Sequence, residues 1–168
     1  MEKLIRIGIS ACLLGEKVRY DGGHRLNPCL KETLGGFADW VPVCPEAECG
    51  LSVPREPMHL VGDPDLPRLM TMATGIDHTN RMLQWARAKL PALEEDGLRG
   101  FIFKSRSPSC GMRDVSIESA SGTVKHTGAG LFARAFMGHF PSLPVEDEDG
   151  LQDPVTRENF TYRLWSSG

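Results

Sequence analysis

Three short apolar, strand-like runs each lead to a cysteine, and stretches long enough for a helix separate them. Leu4-Ile5-Arg6-Ile7-Gly8-Ile9 precedes Cys12, Trp40-Val41-Pro42-Val43 runs into Cys44, and Gly100-Phe101-Ile102-Phe103-Lys104 lies shortly before Cys110. Strands alternating with helical segments predict a parallel sheet covered by helices. In open sheets of that kind, ligands bind outside the carboxyl ends of the strands. The three thiols are therefore expected on one rim, although they come from distant parts of the chain. Three thiolates can hold a metal or an iron–sulfur cluster and leave one coordination position open.

The remaining elements follow from local signals. Leu4 to Ser10 is expected as the first strand. Asn27-Pro28 has the N-cap and first-position pair of a helix start, and Gly35-Gly36 ends that short helix. A second strand is expected from Asp39 to Val43. Residues Gly50 to Pro67 hold several prolines without clear periodicity and read as a long ordered loop, a kind that is usually functional. Met82, Leu83, Ala86, Leu90 and Leu93 mark a helix from Asp77 to Leu93. Pro91 is expected to end or kink its last turn, and Gly97 to stop it. The third strand is Gly100 to Lys104, and a helix spans Gly130 to Met137. A short fourth strand covers Leu143 to Val145, and a last helix runs from Asp153-Pro154 to Trp165. The expectation is one α/β domain over residues 1–168.

Composition narrows the function classes. The chain is 40% hydrophobic and 24% charged, as in an ordinary globular protein. A formal net charge of -3 argues against a general nucleic-acid binder. No apolar run approaches the roughly 20 residues of a membrane-spanning helix. The N-terminus lacks the apolar segment of a secretory signal, so a cytoplasmic location is expected. Five cysteines, Cys12, Cys29, Cys44, Cys49 and Cys110, are an odd number. A disulfide framework would leave one unpaired, and the reducing cytosol disfavours one anyway. Buried structural thiols, ligands or nucleophiles remain.

Each strand-end cysteine has polar company. Ser10-Ala11-Cys12-Leu13-Leu14-Gly15 is followed by Val18-Arg19-Tyr20-Asp21-Gly22, and a cation such as Arg19 would lower the Cys12 thiol pKa. On its own, Arg19 reads equally as a surface or ion-pair residue. In Pro42-Val43-Cys44-Pro45-Glu46, Glu46 can shuttle protons if partial burial lifts its pKa, the alternative being a solvated loop glutamate. Arg55 either clamps an anion or polar ring or braces the proline loop. Lys104-Ser105-Arg106-Ser107-Pro108-Ser109-Cys110-Gly111 groups three serines and two cations around a thiol. Such a turn can bind anions or donate hydrogen bonds to cluster sulfides, while serine and proline are also plain turn formers.

Other features carry less. Gly128-Ala129-Gly130 loosely mimics a dinucleotide fingerprint but does not belong to the first strand–turn–helix unit, and a close helix–sheet contact explains it better. The five histidines show no metal-ligand pairing. The acidic run Glu146-Asp147-Glu148-Asp149 reads as a solvated turn. Structural zinc sites bring their cysteines in close pairs, which Cys12, Cys44 and Cys110 do not. A catalytic iron–sulfur cluster suits single ligands better, since its fourth iron stays free as a Lewis acid.

The blocks S-A-C-L-L-G…V-R-Y-D-G, P-V-C-P-E…G-L…P-R-x-P and K-x-x-S-P-S-C-G resemble the TudS-type thiouracil desulfidase family. They occur in order from the first strand to about Gly130, and the likeness continues less distinctly through Pro144. The resemblance implies a Rossmann-like, mostly parallel sheet flanked by helices. It also implies a [4Fe-4S] cluster on Cys12, Cys44 and Cys110, a catalytic glutamate at Glu46, and a catalytic serine at Ser107 or Ser109. The expected reaction is non-redox hydrolysis of a C–S bond, turning thiouracil into uracil and hydrogen sulfide. Lys104 with one of the serines would orient the ring or stabilise developing charge. The expected partner is a small thiolated heterocycle, with no nucleic-acid polymer and no membrane. Two alternatives stand beside it: a zinc or mononuclear-iron hydrolase on the same three cysteines, and a non-catalytic redox or sulfur-carrier protein. Cys49 departs from the family pattern, which has a small residue there. It is an extra thiol near the cluster, a resting fourth ligand, a sulfur acceptor, or simply a small buried side chain in place of glycine. Cys29 fits no ligand position.

Overall fold

A computed structural model describes residues 3–166 of the protein. The first half of the chain forms β1 (Ile5–Ser10), α1 (Pro28–Leu34), β2 (Ala38–Val43), α2 (Pro45–Glu48), β3 (Met58–Val61), β4 (Arg68–Thr71) and α3 (Thr79–Glu95). The second half forms β5 (Gly100–Phe103), β6 (Val115–Glu118), β7 (Val124–Gly128), α4 (Leu131–His139), β8 (Val145–Asp147) and α5 (Pro154–Ser166). One sheet has the order β2-β1-β5-β8 and is parallel throughout. The expected helix-flanked parallel α/β architecture is therefore present.

β1 sits in the middle of that sheet because its sequence suits burial on both faces. Ile7 and Ile9 are fully buried toward one layer, where α1 and α5 contribute Leu30, Leu34, Phe160 and Leu164. Burying each isoleucine side chain contributes about 2–3 kcal/mol. On the opposite layer, Phe101 and Phe103 of β5 pack against Ala86, Leu90 and Leu93 of α3 and Phe132 and Phe136 of α4. Gly8 belongs to this layer through what it omits, because a Cβ there would collide with the Phe101 ring. The expected caps form as well. Asn27 accepts the N–H of Leu30 at 3.2 Å, and Asp153 accepts both the N–H and the hydroxyl of Thr156.

A second sheet, ordered β4-β3-β6-β7, departs from the sequence expectation. Only its β3–β6 pair is parallel. The stretch from Gly50 to Pro67 is thus not a plain loop, since it contains β3. Its strands are only four or five residues long, too short for alternation to stand out beside prolines and glycines. Leu60, Leu69, Val115 and Ile117 pack on Met82 of α3 and Leu131 of α4. The same two helices therefore serve both sheets.

Two further boundaries differ. Pro91 does not end α3, which continues to Glu95. Pro91 lies on the exposed side, so the carbonyl deprived of its N–H partner faces water. The short fourth strand is Val145–Asp147 rather than Leu143–Val145, because Phe101 to Phe103 pair with Val145 to Asp147.

Candidate active site

The sheet order decides where the thiols meet. β2, β1 and β5 are adjacent, with Ser10 opposite Val43 and Ile9 opposite Ile102. Neighbouring strands stand about 4.8 Å apart, so the segments leaving their carboxyl ends begin side by side. Cys12 lies in a 3₁₀ turn, Ala11–Leu14, directly after β1, and its carbonyl accepts the N–H groups of Gly15 and Arg25. Cys44 follows β2 and precedes Pro45 at the start of α2, where its own N–H is bound by the Glu48 carboxylate at 2.8 Å. Ser10 ties β1 to β5 by accepting the N–H of Lys104 at 2.9 Å.

Cys110 is held differently. The first N–H groups of α4 donate to carbonyls of its loop: Leu131 to Pro108, and Phe132 and Ala133 both to Ser109. Gly130 permits this approach, because a Cβ there would stand 2.5 Å from the Ser109 carbonyl carbon. The glycines around Ala129 are therefore a close helix–loop contact. They are not a phosphate cradle, since those N–H groups already have partners.

Cys12, Cys44 and Cys110 all line one cavity of about 350 Å³, together with Arg19, Glu46, Arg55, Lys104, Ser107 and Ser109. That volume falls within the range of about 300–1,000 Å³ typical of small-molecule sites. Burial raises the pKa of all three thiols, and it pushes Cys110 well above the ordinary thiol value. Cys12 feels Arg19 and Lys104 pulling in the opposite direction, but burial is the larger effect. Arg19 thus lowers the Cys12 pKa as expected, and burial outweighs it.

Glu46 is bound on both carboxylate oxygens. Oε1 receives Arg55 Nε at 2.9 Å, and Oε2 receives the hydroxyl of Ser109 at 2.7 Å. Its side chain is 15% exposed, so it is not a solvated loop glutamate. Ser107 stands behind Ser109. Its Oγ accepts the N–H groups of Ser109 and Cys110 and lies 3.1 Å from Ser109 Oγ. Ser109 is thus the serine that meets the carboxylate, and Ser107 shapes the turn beneath it.

Lys104 lines the cavity with its ammonium engaged. It pairs with Glu148 at 2.8 Å and donates to the carbonyl and hydroxyl oxygens of Ser105. Glu148 also accepts the N–H of Ser105, and its side chain is only 8% exposed. Asp149 pairs with Arg106, while Glu146 and Asp147 both pair with Arg113. Asp149 stays exposed, but Glu146, Asp147 and Glu148 are not solvated. The carboxylates of this acidic run neutralise the cations that flank Cys110, a long-range pairing that the sequence does not signal.

The other candidates fall outside the cavity. Cys49 does not line it; the thiol donates to the Glu46 carbonyl at 3.3 Å and packs beside the second-sheet core. Cys29 is exposed on α1. The histidines make local contacts, such as His59 with Glu118 and His126 with Ser116.

Comparison with known proteins bears directly on this arrangement. The model of a protein family described as 2-thiouracil desulfurase matches residues 7–148, a span that includes every cavity residue named above. The chain belongs to the 2-thiouracil desulfurase family. An uncharacterised Bacillus subtilis (strain 168) protein, YbbK, is 32% identical over 130 residues, which cover 74% of this chain and 85% of YbbK. Among solved structures, the [4Fe-4S]-dependent thiouracil desulfidase TudS superposes with a TM-score of 0.71 at 30% identity. The match covers 94% of this chain and 99% of that one.

The donor set of this desulfurase-family member can be tested against such a cluster. Among the described residues, no three Cys, His, Asp or Glu side chains gather tightly enough to hold a single metal ion. The three thiols instead surround a shared cavity. The thiolates of a cubane bind separate irons, so they stand further apart than the donors of one ion. Three thiols around one cavity are a donor set that fits a cluster. No helix of the described residues is long and apolar enough to cross a membrane.

Proposed function

We propose that this protein hydrolyses the C–S bond of a thiolated pyrimidine of the thiouracil class, using a [4Fe-4S] cluster held by Cys12, Cys44 and Cys110. The observation that carries the reading is the Ser109–Glu46–Arg55 network on the wall of the cavity that the three thiols line. Bound through three thiolates, such a cluster supplies a Lewis-acidic iron with a position open to the substrate's sulfur. The chain's own side chains supply the rest.

Glu46 acts as the general base, taking a proton from water as its oxygen attacks the carbon that bears sulfur. Ser109 fixes Oε2 of Glu46 through its hydroxyl. Lys104 has its donors engaged by Glu148 and Ser105. It therefore acts on developing negative charge only as the cavity-facing positive end of a neutral ion pair, without direct contact to the ring. Water enters, sulfur leaves as sulfide, and the oxo base remains. No electrons are transferred overall.

The same reading takes residues 1–168 as one cytoplasmic domain acting on a small molecule. Shared use of α3 and α4 by both sheets supports the single unit. The net charge of -3 speaks against a nucleic-acid polymer as partner.

The test is anaerobic reconstitution, quantification of iron and acid-labile sulfide, and a sulfide-release assay with 2- and 4-thiouracil. About four irons per chain and sulfide release lost in Glu46→Ala are expected. A loaded protein that leaves thiouracils untouched would discard the substrate, and failure to bind iron would discard the mechanism.

A further inference from the structure

Arg55 enters the cavity wall with a side chain only 8% exposed, and its guanidinium is engaged by the protein on every nitrogen. Each of its three guanidinium nitrogens already has an acceptor. Nε meets Glu46 Oε1 at 2.9 Å, Nη1 meets the Ser52 carbonyl at 3.1 Å, and Nη2 meets the Val18 carbonyl at 2.8 Å. Its backbone N–H donates to the Tyr20 carbonyl at 2.7 Å. One residue therefore joins the loop after Cys12, the turn after Cys44 and the proline-rich segment before β3. A planar guanidinium does this well, because its donors point in fixed directions and it stays charged.

The consequence falls on Glu46. A glutamate side chain reaches its carboxylate through three rotatable bonds, and α2, which carries it, is a single turn. Ser109 by itself holds one oxygen and leaves the other free to swing. Arg55 holds the second oxygen and anchors it to the Ser52 carbonyl of its own segment and the Val18 carbonyl of the loop after Cys12. We propose that Arg55 is a positioning residue for Glu46. In this role, which rests on the desulfidase reading above, it keeps Oε2 on Ser109 and aimed at the attacking water, and it makes no contact with substrate.

Positioning predicts a pattern that general structural support does not. Arg55→Met, purified and loaded anaerobically, is expected to keep wild-type iron and sulfide content and its visible spectrum. Its KM for thiouracil should stay within about threefold, while kcat falls roughly 10²-fold, the scale of a misaligned general base. Arg55→Lys should recover part of kcat, since it keeps the charge but loses the fork. In a Glu46→Gln background, Arg55→Met should cost little more, because residues acting as a unit are not additive. A second full loss in that background, loss of iron, or an unchanged kcat would overturn the proposal. If Arg55→Met does not fold, Arg55→Lys carries the same comparison.

A crystal structure of the variant decides the matter independently of turnover. Positioning predicts the Glu46 carboxylate in more than one rotamer and off Ser109. A single rotamer with the 2.7 Å contact intact would overturn it. Wild-type protein that releases no sulfide from thiouracil would instead remove the functional reading, and the rotamer result would still stand for or against Arg55.

Discussion

Ser109 Oγ lies 2.7 Å from Glu46 Oε2, and 63 residues of chain separate the two. One follows β5 and the other β2, so the contact reaches across the end of β1 along a single rim of the sheet. Ser107, two residues away, has both lone pairs occupied by backbone N–H groups. The two serines should therefore fail differently. Ser109→Ala is expected to lower kcat by about 10²-fold with little change in melting temperature. Ser107→Ala leaves two N–H groups without an acceptor and should cost about 1–3 kcal/mol, a drop of several degrees by calorimetry. Equal effects on kcat and stability from both variants would refute the division.

Glu148 is the inner partner of a nearly buried pair with Lys104 and also satisfies the Ser105 N–H. Removing one partner strands the other charge. Glu148→Gln is expected to destabilise the protein by about 3 kcal/mol in denaturant titration. Replacing both, as Lys104→Met with Glu148→Leu, should restore most of that stability, because a buried pair can be exchanged for apolar contact at little cost. Activity should not return with it, since the cavity-facing ammonium end of the pair is gone.

Gly130, which caps α4, and Gly138, within it, make a contrasting pair. A Cβ at Gly130 would lie 2.5 Å from the Ser109 carbonyl carbon and 2.9 Å from the Cys110 nitrogen, both backbone atoms that must move. A Cβ at Gly138 meets nothing within 4 Å. Gly130→Ala should therefore lose iron retention and sulfide release together. Gly138→Ala should leave both unchanged and raise stability by up to about 1 kcal/mol, the helix preference of alanine over glycine.

Burial raises the thiol pKa of Cys12, Cys44 and Cys110 in the protein without a cluster. The folded state then holds its thiol protons to higher pH than the unfolded chain does. Stability of the cluster-free protein should be level with respect to these groups below the ordinary thiol value of 9.0. It should fall as pH rises from there through the raised values. Loading runs in the opposite sense, because thiolate ligation releases protons, so reconstitution should become more favourable as pH increases. Urea titrations from pH 7 to 10 check the first expectation, and iron uptake against pH checks the second. A Cys12→Ser, Cys44→Ser, Cys110→Ser triple variant should flatten the alkaline fall.

The parallel sheet was legible because three of its four strands are largely apolar runs that lead to cysteines, as strands buried in a parallel sheet tend to be. The candidate ligands were legible for the same reason: Cys12, Cys44 and Cys110 each follow such a run. Glu46 was found through its place beside Cys44. The second sheet was hidden because Met58-His59-Leu60-Val61 and Arg68-Leu69-Met70-Thr71 are short and sit among prolines. Pattern reading also gave Glu148 to solvent, since four consecutive acids look solvated until Lys104, Arg106 and Arg113 are folded against them. Nor does spacing indicate which serine reaches Glu46, because Ser107 and Ser109 differ only in how the turn directs their hydroxyls.

The β2-β1-β5 ladder has a consequence for the working life of the protein. Backbone hydrogen bonds and apolar layers fix the strand ends that carry the cysteines, so gathering the candidate ligands is completed during folding. A zinc finger, by contrast, depends on its metal to fold. Oxidative loss of a cluster from such a socket would cost the cofactor and spare the polypeptide. The same molecule could then be recharged many times, and its upkeep would become a question of iron and sulfide supply, with no need for new synthesis.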